Sequence, residues 1–169
     1  SAASDVYKRQ AFVIAGCGIP VAKHGNKAVS SKSGAADVLS ALGIKLDCDM
    51  ALVERALAEA NIAFLMAPRH HAAMRHVAPV RIALGVRTIF NLLGPLSNPA
   101  LVKRIMVGVF DQSYCAPFAH VLARLGNSHA WVVHGADGLD EVSTTGKTHV
   151  AALVDLSLIH ISEPTRPYW

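Results

Sequence analysis

Residues 23–34 read KHGNKAVSSKSG and hold three lysines, one histidine, two glycines, one asparagine, three serines and no carboxylate. Donors without competing acceptors suit an anion. Backbone N–H groups and the Ser30, Ser31 and Ser33 hydroxyls can donate, Lys23 adds a compact charge, and Gly25 lets a ligand approach the backbone closely. A helix opening after Ser33 would turn its positive end toward the same place. The alternative is a solvated surface loop, the usual fate of a Gly/Ser/Lys cluster. Far downstream, Asp140 and Glu141 are adjacent in HGADGLDEVS. Hard oxygen ligands of this kind suit Mg²⁺ that keeps most of its waters and bridges to a pyrophosphate. The alternative is an acidic pair at the start of a helix, favoured by the dipole. Arg81, in APVRIALG, has a planar fork that holds a carboxylate through two parallel bonds, which lysine cannot copy; the alternative is a solvated helix face.

These residues need elements to position them. AFVIAGC reads as a buried helix that stops near Gly18, and PVAKHG as a short strand. Ser33 can cap a helix with Ala36, Val38, Leu39 and Leu42 on its apolar face, and Asp49 can cap a second with Leu52, Val53, Ala56, Leu57 and Ala60. NIAFLMAP is a buried strand closed by Pro68. A helical stretch from about His70 to Leu84 is interrupted by Pro79, and RTIFNLLGPLSNP reads as an ordered loop. RIMVGVF is a strand, YCAPFAHVLARLG a helix ending at Gly126, and HAWVVHG and HVAALVD are further strands. Strands alternate with helices, so the class is α/β, a largely parallel sheet flanked by helices. No repeat or linker divides the chain.

At 169 residues, 52% hydrophobic and 17% charged, the sequence can bury a core and is no disordered tail. Its apolar mass is Ala, Val, Leu and Ile, which suits helices on a buried parallel sheet. A net charge of +4 admits an anionic partner without choosing among nucleic acid, membrane surface and phosphorylated metabolite. Cys17, Cys48 and Cys115 form no CxxC, which disfavours a zinc site or disulfide framework and favours a reducing, cytoplasmic setting. No apolar run approaches the roughly 18 residues of a spanning helix. Lys8 and Arg9 before AFVIAGCGIPVA imitate a signal peptide, yet the run leads straight into the basic stretch with no boundary between them.

VAKHGNKAVSSKSGAADVLSALGI, APRHHAAMRHVAPVRIALGVRTIFNLLGPLSNPA and VVHGADGLDEVSTTG together resemble the anthranilate phosphoribosyltransferase family, in its order and nearly its spacing, over about residues 11–156. The resemblance implies an incomplete catalytic domain of the phosphoribosyltransferase and nucleoside phosphorylase type. It implies transfer of phosphoribosyl from 5-phosphoribosyl 1-pyrophosphate (PRPP) to anthranilate, a step of tryptophan biosynthesis, with Mg²⁺ as cofactor and a homodimeric full-length enzyme. By the same resemblance PRPP would be held by Lys23, His24, Gly25, Asn26, Lys27, Ala28, Val29, Ser30, Ser31 and Ala35, anthranilate by Asn26, Arg81 and His71, and the metal by Asp140 and Glu141. Lys27 stands where the family usually has arginine, Ala35 where serine is common, and Ala72 where proline is usual. No obligatory general base is implied; a histidine such as His24 can assist. Asp137 reads as a turn residue, and RTIFNLLGPLSNP as pocket wall.

The family's upstream GTGGD-type loop and its N-terminal helical domain have no counterpart in these residues, so the expectation is a central piece of a longer enzyme with little activity alone. Residues 1–10 and 157–169 fall outside the α/β pattern and read as a non-native extension and tail. The rival readings are a related phosphoribosyltransferase or nucleoside phosphorylase with another acceptor, and a non-catalytic relative that holds nucleic acid. Against the latter, no basic stripe interleaved with aromatics is visible. The governing expectation is that the basic stretch and the distant acidic pair converge on one Mg²⁺–diphosphate.

Overall fold

The computed structural model describes residues 3–26, 35–86, 88–155 and 157–163, and the chain divides into two compact units, Ser1–Ala100 and Leu101–Trp169. The first unit runs α1 (Ala3–Gly16), β1 (Val21–Gly25), α2 (Ala35–Ala41), α3 (Met50–Ala60), β2 (Ile62–Met66), α4 (Ala67–His70), a 3₁₀ turn (Ala72–His76), α5 (Ala78–Leu84) and α6 (Ile89–Leu96). Strands β1 and β2 pair in parallel, from Val21 opposite Ile62 to Gly25 opposite Met66. Parallel neighbours need a long crossover, which α2 and α3 supply. Successive β2 side chains feed opposite faces. Ala63 and Leu65 pack with Val53, Leu57 and Ala22, while Phe64 and Met66 pack with Ala36, Leu39 and Leu46. A strand covered on both faces reads as one apolar run, as IAFLM does.

Local chemistry sets the helix ends. Asp49 caps α3, its carboxylate accepting the Leu52 N–H at 2.7 Å, and Asn61 closes the helix in the left-handed region at φ 56°. The single interrupted helix expected over residues 70–84 is instead three short pieces. Pro79 lies in the first turn of α5, where a missing N–H removes no helical bond. RTIFNLLGPLSNP is not all loop. Ile89–Leu96 is helical despite Pro95, with the Asn91 side chain accepting the Thr88 N–H at its start and the Ser97 hydroxyl donating to the Leu93 carbonyl at its end. The expected helix from Ala11 extends back to Ala3, with Ala11 and Ala15 buried.

The second unit runs β3 (Arg104–Gly108), a 3₁₀ turn (Gln112–Tyr114), α7 (Cys115–Arg124), β4 (His129–Gly135), β5 (Thr148–Val154) and β6 (Ser157–Glu163), with sheet order β3-β4-β5-β6. β3 and β4 are parallel across the α7 crossover; β5 and β6 join antiparallel. The connection from β5 to β6 is too short for anything but a hairpin, and Asp155 takes the left-handed backbone at φ 47° that such turns use. β6 was not legible in SLIHISE. Helix α7 ends in a Schellman arrangement: Asn127 N–H donates to the Leu122 carbonyl and Gly126 N–H, at φ 88°, to that of Ala123. Phe118, Ala119 and Leu122 of α7 are buried, as are Val132, Val133, Ala151, Ala152 and Leu153 of the sheet. The three cysteines are free thiols, and among the described residues no helix is long and apolar enough to cross a membrane.

Candidate functional site

In the first unit, β1 delivers the start of the basic stretch. A strand alternates its side chains, so Lys23 and His24 leave on opposite faces. Lys23 lines a small, mostly apolar cavity of about 70 Å³ with Phe12, Leu39, Ile44 and Phe64. His24 meets His71 instead, with the two Nε2 atoms 3.2 Å apart and the rings edge to face. Its pKa falls from 6.5 to about 4. Burial is the main cause, the positive potential of His71, His70 and Lys23 adds to it, and a hydrogen bond to the Gly94 carbonyl opposes it.

His24 is neutral at pH 7, and its Nε2 meets that of His71. The contact ties β1 to the turn after α4.

Gly25 ends the strand, and a Cβ there would press on the Phe64 ring. Asn26 follows it, exposed. Lys27, Ala28, Val29, Ser30 and Ser31 lie outside the described residues, and Ala35 opens α2. Arg81 sits half-buried on α5 with its guanidinium 5.5 Å from the centre of the Phe90 ring, so it is not the solvated arginine of the alternative reading. Stacking holds a guanidinium plane while leaving its edge donors available to a carboxylate.

In the second unit, the acidic pair lies on the 136–147 loop after β4, with no helix following it, so the helix-dipole alternative does not apply. Asp140 is exposed and Glu141 is only 5% exposed. The loop packs tightly on the sheet end: a Cβ on Gly108, the last residue of β3, would overlap the Asp140 carbonyl. Asp137 accepts from the Ser143 and Thr145 hydroxyls and from the Leu139 N–H. Those bonds hold its carboxyl below the usual carboxylate range, the Ser143 bond most of all. With both its oxygens engaged, Asp137 is a turn anchor. Among the described residues no three His, Cys, Asp or Glu gather to cage a metal. Two adjacent hard-oxygen carboxylates, one exposed, fit an ion that retains water and substrate oxygens as its other ligands, as Mg²⁺ does.

Two further residues shape these sites through contacts that their own stretches do not announce. Asn98 donates from Nδ2 to the Ala22 carbonyl at 3.1 Å, fixing β1 just before Lys23, and its Oδ1 accepts the Ala100 N–H. An Asn-Pro pair signals this second bond, since the side chain caps its own turn; the first is long-range and carries no local signal. His134, at the end of β4, pairs from Nδ1 with the Val109 carbonyl at 2.9 Å.

Residues 4–161 match the family described as the glycosyl transferase family, a/b domain. The chain is 66% identical over 145 residues to an anthranilate phosphoribosyltransferase of Azospirillum brasilense, covering 86% of this chain and 40% of that protein. It is 67% identical over 140 residues to one of Paramagnetospirillum magneticum, covering 83% and 40%. Among solved structures, the anthranilate phosphoribosyltransferase of Thermus thermophilus superposes with TM-score 0.84 at 45% identity, covering 93% of this chain and 46% of that one. The Saccharomyces cerevisiae enzyme in complex with PRPP and Mg superposes at 0.79 with 35% identity, covering 91% and 43%. The chain thus spans about 40% of the length of the curated relatives it matches. By its matched residues and its α/β architecture, the chain belongs to the glycosyl transferase family.

Proposed function

We propose that the chain serves phosphoribosyl transfer from PRPP to anthranilate, a pentosyltransferase step of tryptophan biosynthesis carried out in the cytoplasm by a homodimeric enzyme. The observation that carries this reading is 66% identity over 145 residues to a relative named for that activity. In the reaction the anthranilate amine attacks C1 of the ribosyl group. The bond from C1 to the pyrophosphate oxygen breaks, its electron pair leaves with pyrophosphate, and the amine gives up one proton. Mg²⁺, held by Asp140 and Glu141, would offset the charge of the leaving group.

The remaining work falls to this chain's residues. Lys23, Gly25, Asn26, Lys27, Ala28, Val29, Ser30, Ser31 and Ala35 hold the phosphoribosyl pyrophosphate. Arg81 takes the anthranilate carboxylate through its fork, with Asn26 and His71 beside the ring. His24, paired with His71, sits among these residues and can assist as the amine gives up its proton. An aryl amine needs no strong base before attack, so positioning and electrostatics supply most of the rate, each worth several kcal/mol.

The test is a chimera in which residues 11–156 replace the matching segment of a curated relative. Growth of a tryptophan auxotroph on anthranilate, with pyrophosphate release dependent on Mg²⁺, is the expected result. A chimera that folds, binds PRPP and Mg²⁺, but turns over only a different acceptor would move the assignment to another phosphoribosyltransferase. DNA binding by the chain that weakens steeply with salt, with no PRPP binding, would overturn it in favour of a nucleic-acid holder.

A further inference from the structure

The loop that carries Asp140 and Glu141 is closed by a side-chain clasp whose protons can be counted. A hydroxyl has one proton. Ser143 gives its proton to Asp137 Oδ2, so the N–H groups of Thr145 and Gly146, at 3.1 and 2.9 Å, donate to its lone pairs. Thr145 gives its own hydroxyl proton to the same Oδ2 at 2.9 Å, and the Leu139 N–H donates to Oδ1. The 3.3 Å approach of the two hydroxyl oxygens is therefore a contact between neighbours with no proton left to share. Behind them the Ser143 N–H donates to Thr148 Oγ1, and both residues are almost wholly buried. Backbone bonds from Gly135 to Leu139 and from Ala136 to Lys147 close the base. The clasp joins the two ends of the 138–142 segment, and Gly108 supports its middle from the sheet.

We infer that Asp137, Ser143 and Thr145 are positioning residues that preset this segment, so that Asp140 and Glu141 meet a divalent cation carried by a diphosphate without first ordering the loop. The inference rests on the reading of Asp140 and Glu141 as metal ligands. Asp137 acts through them and is no ligand itself, since its oxygens already receive three donors. A segment fixed in advance pays no ordering entropy on binding, and removing such outer partners of a metal site typically weakens binding about 10- to 100-fold.

The experiment uses the full chain with Mn²⁺ and inorganic pyrophosphate as probes. Binding is followed by calorimetry, and loop order by amide hydrogen exchange over residues 138–142. Asp137→Asn and Ser143→Ala should each weaken Mn²⁺–pyrophosphate binding about 10-fold and speed exchange in that segment, while Thr145→Ser, which keeps the hydroxyl, should change neither. Combined with Asp140→Asn, Asp137→Asn should cost less than the two single losses added together, because part of what it positions is already gone. An additive loss would make Asp137 an independent ligand and overturn the inference. Unchanged exchange in Asp137→Asn would overturn it as well. If the unsubstituted chain takes up no Mn²⁺–pyrophosphate, the ligand reading of Asp140 and Glu141 fails and the preset metal segment falls with it; exchange then reports only whether the clasp orders the loop.

Discussion

Lowering the pH from 7 to 4 forces a proton onto a part-buried ring. His24 titrates at about 4 in the folded chain against 6.5 for a free imidazole. Between those values the unfolded chain is protonated at this position and the folded chain is not. The unfolded state binds the extra proton, so stability rises with pH across the window and is lost as pH falls from 6.5 toward 4. A difference of 6.5 − 4 = 2.5 sets a ceiling of about 3.4 kcal/mol. The ring is only part-buried, so water screens its neighbours, which reduces the expected loss to roughly 1–2 kcal/mol. Two measurements check this. The ring Cε1–H resonance of His24 should titrate near 4 by NMR. Urea midpoints at pH 7, 5.5 and 4 should fall more steeply for the unsubstituted chain than for His24→Gln, which cannot titrate there. Carboxylates such as Asp111 and Asp137 titrate alike in both chains and cancel. Titration of His24 near 6.5, or parallel loss of stability in the two chains, would refute the account.

Further outcomes follow from single contacts. Gly108→Ala puts a methyl group into the Asp140 carbonyl; backbone must move, so stability should drop by roughly 1–3 kcal/mol and Mn²⁺ uptake should weaken, read by urea melts and calorimetry. In the chimera, Arg81→Lys should raise the KM for anthranilate about 10-fold and Arg81→Ala about 100-fold, with the KM for PRPP unchanged, because only the forked contact to a carboxylate is lost. Steady-state kinetics with each substrate varied would show it; a shift confined to PRPP would sink the assignment. Asp49→Ala should cost about 1 kcal/mol by removing the cap of α3, and Asp49→Ser should recover most of it, as thermal melts would report.

Elements whose signals are local were legible in the sequence. Asp49 capped the helix it was expected to cap, IAFLM was a buried strand, and α7 stopped at Gly126. The errors came from one strong breaker signal and from pairing far along the chain. Pro95 and Gly94 argued for loop, yet Ile89–Leu96 is helical, with Asn91 and Ser97 side chains satisfying its ends. Strand β6 exists because β5 offers it an edge; SLIHISE alone does not distinguish that strand from a tail. For the candidate site, the residue types that do chemistry were visible in KHGN, APVRIALG and GLDE. Their supports were not. His71 against His24, Asn98 against Ala22 and Gly108 beneath Asp140 join residues far apart in the chain, and no local pattern encodes such meetings.

The bond from Asn98 to the Ala22 carbonyl joins positions 76 residues apart. A chain emerging from the ribosome can pair β1 with β2 once Met66 is out, yet it cannot tie down the base of the KHGN stretch until Asn98 follows. Until then the first strand would be paired on one side and unfastened at its root. The final latch of the first unit is therefore one of its last residues to be made, and translation paused just short of GPLSNP would hold that unit in a paired but unlatched state.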